Sequence, residues 1–237
     1  IPFAELAGRP EPVGYSQDIQ PAVVDARKKQ LGTDIKVEYK LGTSQSRIPL
    51  VQNGNVDLEC GATTKNVERQ QQVGLTVGIF EVGTRLLTKV KDGQPAYKDF
   101  PDLAGKNVVT TAGTTSERLL KAMNADKQMK MNVISAKDHG EAFNMLESGR
   151  AVAFMMDDAL LAGEMAKARN TKTGSSPAHR SRTKSTVAWC ARMTQPSRKQ
   201  SMTPSWVTSS RAKSTRPTTS GSHSPPRSEE RRVVNAL

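Results

Sequence analysis

The stretch KNVVTTAGTTSERLLKAMN, from Lys106 to Asn124, changes its period halfway and decides how the rest of the chain is read. Its first half is β-branched, from Val108 to Thr111, as a buried strand would be. Gly113 breaks the run. Thr114 then stands three residues before Glu117, the spacing of a capped helix start, and Leu119, Leu120 and Met123 follow at helical intervals. The stretch therefore reads strand, tight loop, helix. Free backbone N–H groups at such a helix start, beside the hydroxyls of Thr114, Thr115 and Ser116, form a seat for an anion. The same residues also make an ordinary helix cap, and one reading does not exclude the other.

The pattern continues outward from this stretch. Met131–Ile134 is expected as a strand, Lys137–Leu146 as a helix, Ala151–Met156 as a strand and Asp157–Ala168 as a helix. Upstream, Gln17–Leu31 has helical spacing with Gly32 as its stop, and Ile35–Leu41 alternates as a strand does. Ser44–Asn53 is expected as a short helix, Val56–Cys60 as a strand and Lys65–Val73 as a polar helix. The long β-rich run Val77–Val90 joins the two series and ends at an Asp92-Gly93 turn. Regular alternation implies a mostly parallel sheet flanked by helices, here as two α/β lobes with a cleft between them. Ligands of such sheets sit at the C-terminal strand ends, against helix N-termini.

Charge divides the chain elsewhere. Residues 1–169 hold 22 Lys/Arg against 21 Asp/Glu, whereas residues 170–237 hold 13 against two, so nearly all of the net +12 lies in the last 68 positions. Those positions also carry 24 Ser/Thr, and their sparse apolar residues follow no period. Such a composition buries too little apolar area to offset the entropy of ordering it, so an irregular tail is expected there. A basic arm invites a nucleic-acid reading through phosphate contacts, but only Trp189 and Trp206 offer rings for base stacking. No run approaches the roughly 20 apolar residues of a membrane span. The residues from Ile1 onward do not read as a secretory signal. Cys60 and Cys190 permit a disulfide without requiring one.

Several residues stand where chemistry is done. Ser44 and Arg47 follow a strand end, and an arginine there clamps a carboxylate or simply lies solvated on a helix face. Ala62 and Thr64 end the next strand. His139 stands at a loop–helix junction, a cation or donor for an acidic group or a surface histidine. Asp157 and Asp158 follow the apolar strand, positioned to receive an ammonium group or to start a helix favourably. His and Cys are too few for a metal site, and neither a nucleophile elbow nor a phosphate loop with its lysine is present. No cofactor and no catalysis are expected.

The strings VGYSQDI, TSQSRIPLVQNGNVDLECGATTKNVERQ, VGTRLLTK, TAGTTSERLL, ISAKDHGEAF and LESGRAVAFMMDDALLAGE together resemble the periplasmic amino-acid-binding proteins of ABC transporters, solute-binding family 3. The resemblance runs from about Ile1 to about Lys167. It implies a two-lobed periplasmic-binding-protein fold of type II, with lobes over 1–86 and 87–169 and a basic tail over 170–237. It also implies a periplasmic, monomeric, non-enzymatic receptor that hands L-glutamate or L-aspartate to membrane permease subunits, with no nucleic acid as partner. Ser44, Arg47 and Thr64 would hold ligand carboxylate from the first lobe, and Thr114 and Thr115 from the second. His139 would face the acidic side chain, and Asp157 the ammonium group. The alternatives are nucleic-acid binding through the tail and an enzyme or regulator on the same fold, for which His139 and Asp157 are the only acid–base candidates in the cleft.

Three departures go with the resemblance. Ala62 replaces a usual serine, the family's opening strand is expected upstream of Ile1, and the likeness stops near residue 168. A reading-frame change there would explain the stop. Read one base earlier, Trp189-Cys190 forces a valine codon and Met193-Thr194 an aspartate codon, and suitable synonymous bases give GCMVRKDDPA, a return strand of the family type. In this frame that return strand is expected to be missing. The nucleotide sequence decides the point, because a tail found intact in the genome refutes the frame change.

Overall fold

The structure is a computed structural model and describes residues 3–6, 8–167, 173–176, 184–191 and 229–236. The first part of the chain runs α1 (Tyr15–Leu31), β1 (Ile35–Gly42), α2 (Arg47–Gln52), β2 (Leu58–Thr64), α3 (Val67–Gln70) and β3 (Gly74–Leu75). The long β4 (Phe80–Lys91) turns at Asp92-Gly93 into β5 (Gln94–Pro95). After a 3-10 turn at Phe100–Leu103 come β6 (Asn107–Thr111), α4 (Thr115–Asp126), β7 (Asn132–Ala136), α5 (His139–Glu147), β8 (Ala153–Asp157) and α6 (Asp158–Lys167). Three strands follow: β9 (Thr173–Ser176), β10 (Lys184–Ala191) and β11 (Glu229–Ala236).

Local chemistry accounts for the boundaries. Gly32 ends α1 in the left-handed region at φ 64°, where a Cβ is costly, and its N–H bonds Lys28 O. Asn66, Thr114 and Asp138 each cap a helix by accepting a backbone N–H three residues on. Glu117 turns back, as in a capping box, but it takes the Gly113 N–H at 2.7 Å rather than that of the cap residue.

The sheet order is β1-β11-β2-β10-β4-β8-β6-β7, with β3 on β10 and with β5 and β9 on β4. Strand β4 belongs to both halves. Its first residues, Phe80 to Gly83, pair with β10, and Thr84 to Thr88 pair with β8. The sheet is mixed, not mostly parallel as the alternation implied. β1–β11, β11–β2, β6–β7 and β6–β8 are parallel. β10 and β4 run against their neighbours. Strand–helix alternation constrains only consecutive strands, and both exceptions involve pairings distant in sequence.

The second half has two apolar layers, one on each face of its strands. Leu87, Val109, Phe143, Leu146 and Phe154 pack under α5 and α6. Leu86, Val108, Leu120 and Met155 pack under α4 with Phe100 and Leu103. Smaller clusters serve the first half, around Val51, Val56 and Val73 and around Phe3, Val82 and Val187. No helix among the described residues is long and apolar enough to cross a membrane.

The described residues of the tail form strands β9, β10 and β11, and β10 lies between β4 and β2. The physical reason is that ladder pairing uses backbone groups that sheet edges leave open, and Thr186-Val187-Ala188-Trp189 has adequate strand propensity. Val187 is fully buried beside Phe3 and Val82. A Val187→Asp substitution is expected to cost about 3 kcal/mol or more, because it buries a charge without a partner. The urea midpoint of the full chain checks this, and an unchanged midpoint would show that β10 contributes nothing to the folded unit.

Candidate functional site

One cleft lies where the two halves of the sheet meet. It is lined by Ser44, Arg47, Ala62, Thr64, Thr114, Thr115, His139 and Asp157, with Met156 and Leu160. The structure thus brings together all eight residues singled out in the sequence, and adds two apolar ones. They sit at or near strand ends and helix starts.

From the first half, Gly42 ends β1 and the Thr43 and Ser46 side chains tie the following turn. The Ser46 hydroxyl accepts the Thr43 N–H at 2.9 Å, and the Thr43 hydroxyl accepts the Ser46 N–H at 3.1 Å. The turn presents Ser44 and starts α2 at Arg47. The Arg47 residue is 4% exposed, yet its Nε–H meets no acceptor among the described residues. A buried guanidinium N–H without an acceptor is costly, so this group is poised for an anion. Thr64, at the end of β2, lies 3.2 Å from Thr115 across the cleft, hydroxyl to hydroxyl.

From the second half, the anion seat and the helix cap share the same residues. The Thr114 hydroxyl accepts the Glu117 N–H at 3.1 Å and donates to Thr111 O at 2.7 Å. Ser116, read as part of the anion seat, faces Asp157 instead, its hydroxyl 3.5 Å from Oδ1. The ambiguity between Asp157 and Asp158 is resolved by geometry. Asp158 starts α6, accepting the Ala159 N–H at 2.9 Å and the Gly83 N–H at 3.2 Å. Asp157 is left facing the cleft, 2% exposed, with Thr84 at 3.5 Å as its other hydroxyl neighbour.

The electrostatics follow from burial. Burial pushes the Asp157 carboxyl up to about 6. The nearby Arg47 charge and the hydroxyls of Thr84 and Ser116 oppose this, and Asp158 adds to it. Keeping the carboxylate ionised here costs about 3 kcal/mol relative to water. His139 is pushed down to about 4, first by burial and then by Arg47, against a pull from Asp138, with Lys167 adding least to the lowering. Burial and the Arg47 charge thus favour the neutral imidazole in the free cleft, which leaves it the donor role. Its Nδ1 lies 2.7 Å from the Thr111 hydroxyl.

Sequence reasoning missed Arg69, which is 4% exposed and donates to Thr64 O at 2.9 Å and to Gly113 O at 3.2 Å. Its segment reads as a polar surface helix. The available signal was its place just beyond a strand end rich in hydroxyls. Met156 and Leu160 read as plain core positions, although they give the cleft an apolar wall with Ala62. No His, Cys, Asp and Glu group suited to a metal ion occurs among the described residues.

The cleft thus joins a buried guanidinium whose Nε–H meets no acceptor among the described residues, a desolvated carboxylate and an imidazole within one small space. Comparison with known proteins shows the family. The model of the bacterial extracellular solute-binding proteins, family 3, matches residues 1–151, and the chain belongs to that family. It is 70% identical over 171 residues to the L-glutamate/L-aspartate-binding protein of Pseudomonas aeruginosa, covering 71% of this chain and 56% of that one. It is 59% identical over 170 residues to the glutamate/aspartate import solute-binding protein of Salmonella typhimurium, covering 71% and 55%. The chain therefore spans little more than half the length of these relatives. Among solved structures, an ancestral arginine-binding protein bound to arginine superposes with a TM-score of 0.68 at 28% identity, over 81% of this chain and 79% of that one. Family members are solute-binding proteins, and neither the nucleic-acid reading nor the enzymatic one finds support among these relatives.

The Arg47 charge lowers the proton affinity of both His139 and Asp157. Arg47→Ala is therefore expected to raise both pKa values. Proton NMR titration of the His139 ring and carbon NMR of Asp157 check the shared direction. A rise in only one of them would show that Arg47 does not sit between the two groups.

Proposed function

We propose that the cleft binds L-glutamate or L-aspartate and that the two halves of the sheet, residues 1–86 and 87–169, close on it as lobes. The reading is carried by Arg47, whose buried Nε–H meets no acceptor among the described residues. One ligand carboxylate satisfies that guanidinium, with the Ser44 and Thr64 hydroxyls beside it. The free N–H groups at the start of α4, with Thr114 and Thr115, offer a second seat for an anion. The ligand ammonium takes the place of the cation that Asp157 lacks, and the His139 imidazole donates to the acidic side chain. Arg69, bonded to the carbonyls flanking both seats, fixes their spacing. Ala62, Met156 and Leu160 cover the short methylene chain. No bond is broken, and the work done is recognition and closure.

This chemistry discriminates by leaving groups unpaired. L-glutamine presents an amide where a carboxylate is wanted, so a buried cation loses its counter-charge. The bound amino acid is then handed to the permease subunits of an ABC importer in the periplasm, with the receptor acting as a monomer. The names of the two relatives support this cargo.

Calorimetric titration with L-glutamate, L-aspartate and L-glutamine tests the reading. The two acids are expected to bind, glutamine to bind far more weakly, and Arg47→Ala to lose about 2 kcal/mol or more. Tight glutamine binding without the acids would overturn it.

The pH dependence follows from Asp157. Its pKa lies near 6 in the free cleft, and an ammonium partner lowers it, so binding releases a proton around that pH. Affinity is therefore expected to be full above pH 7 and to fall as pH drops through 6. Titrations between pH 5 and 7.5, in buffers of different ionisation enthalpy, measure the proton release. Asp157→Asn should abolish the slope as well as weaken binding, and a slope that survives it would assign the ammonium to another partner.

A further inference from the structure

Several contacts cross the cleft on its α3 side, and not all of them belong to the ligand seats. Thr64 meets Thr115, and Arg69 reaches Gly113 O. Gly113 itself rests on the backbone of the first half. A Cβ at this position would lie 2.6 Å from Gln45 Cα and 2.9 Å from Ser44 O. Farther out on the rim, Arg118 on α4 is ion-paired with Glu68 on α3, fifty residues away. Neither residue of this pair lines the cleft. Both side chains are about half exposed, at 47% and 60%.

We propose that the Glu68–Arg118 pair is a latch that forms across the rim when Gly113 seats on Ser44–Gln45, and that it sets how long the cleft stays shut. α3 and α4 hang from different halves of the sheet, so the pair reports their separation and nothing internal to either half. Exposed pairs contribute little to the stability of a rigid fold. A hinged molecule differs, because its open and closed forms are separated by only a few kcal/mol and a weak bias moves their populations measurably. Gly113 supplies the geometric condition. With no side chain, its backbone approaches near enough for the Arg69 and Glu68 contacts to form together, at a φ of +75° that other residues rarely adopt. Glu68 and Arg118 are thus positioning residues that act on the ligand only through closure. The effect on ligand lifetime rests on the acidic amino-acid reading, and the effect on closure does not.

The test uses the full chain with Cys190→Ser and spin labels on cysteines introduced at the exposed Lys29 and Lys127, one on each half. Electron–electron distance distributions are compared for the parent, Glu68→Arg, Arg118→Glu and the double exchange, with and without L-glutamate. Each single reversal places like charges on the rim and is expected to shift population from the short distance to a longer one. The double exchange is expected to restore the short distance. Stopped-flow release of L-glutamate should quicken about three- to tenfold in the singles and return to the parent rate in the exchange. A distance distribution unmoved by the single reversals, or an exchange that fails to restore it, overturns the latch. A parent that binds neither acid refutes the ligand reading, while the distances still decide the latch.

Discussion

Strand β4 is where the two halves of the molecule become one. It changes partner along its length, pairing with β10 up to Gly83 and with β8 from Thr84 onward, where β9 takes its other edge from Leu86. The change of partner places Thr84 opposite Asp157 in register, and Gly83 donates its N–H to Asp158. The backbone ladder that joins the halves thereby also sets the acid at the floor of the cleft. The next residues alternate faces as a strand requires, with Leu86 entering the layer under α4 and Leu87 the layer under α5 and α6. Position, connection and core of the second half all follow from this one strand.

The same register explains why two adjacent aspartates differ. Asp158 lies at a helix start, where backbone N–H groups satisfy it and the dipole favours its charge. Asp157 is the last strand residue and is buried, with only two hydroxyls at long range and the Arg47 field to support its charge. Arg47, buried opposite, is in the complementary position. Attraction between the two lowers the cost of burying each, but among the described residues the Arg47 Nε–H has no acceptor and Asp157 has only long hydroxyl contacts. A zwitterion, as proposed, would supply complementary charges to both in one step, with little reorganisation of the site.

Local signals were the legible part of the sequence. Gly32, Thr114 and Asp138 mark helix ends through hydrogen bonds that reach no farther than four residues, and such bonds need no knowledge of the fold. The candidate site was legible for the same reason, since Ser44, Thr64, Thr114, His139 and Asp157 all lie at element ends that local pattern locates. Arg69 was not legible, because what distinguishes it is contact with Gly113 O, forty-four residues away. Sheet polarity was hidden likewise. The direction of β10 against β2 and β4 is a long-range pairing on which hydrophobic period is silent.

The tail shows the other limit of composition arguments. Central parallel strands usually read as near-continuous apolar runs, whereas β11 opens with Glu229-Glu230-Arg231-Arg232. It nevertheless lies between β1 and β2, because backbone N–H and C=O groups pair without regard to side chain. Against β1 the ladder runs the full length of the strand, and against β2 it covers Val233 and Val234. A slot in a sheet can thus be entered by a strand that composition alone would not predict.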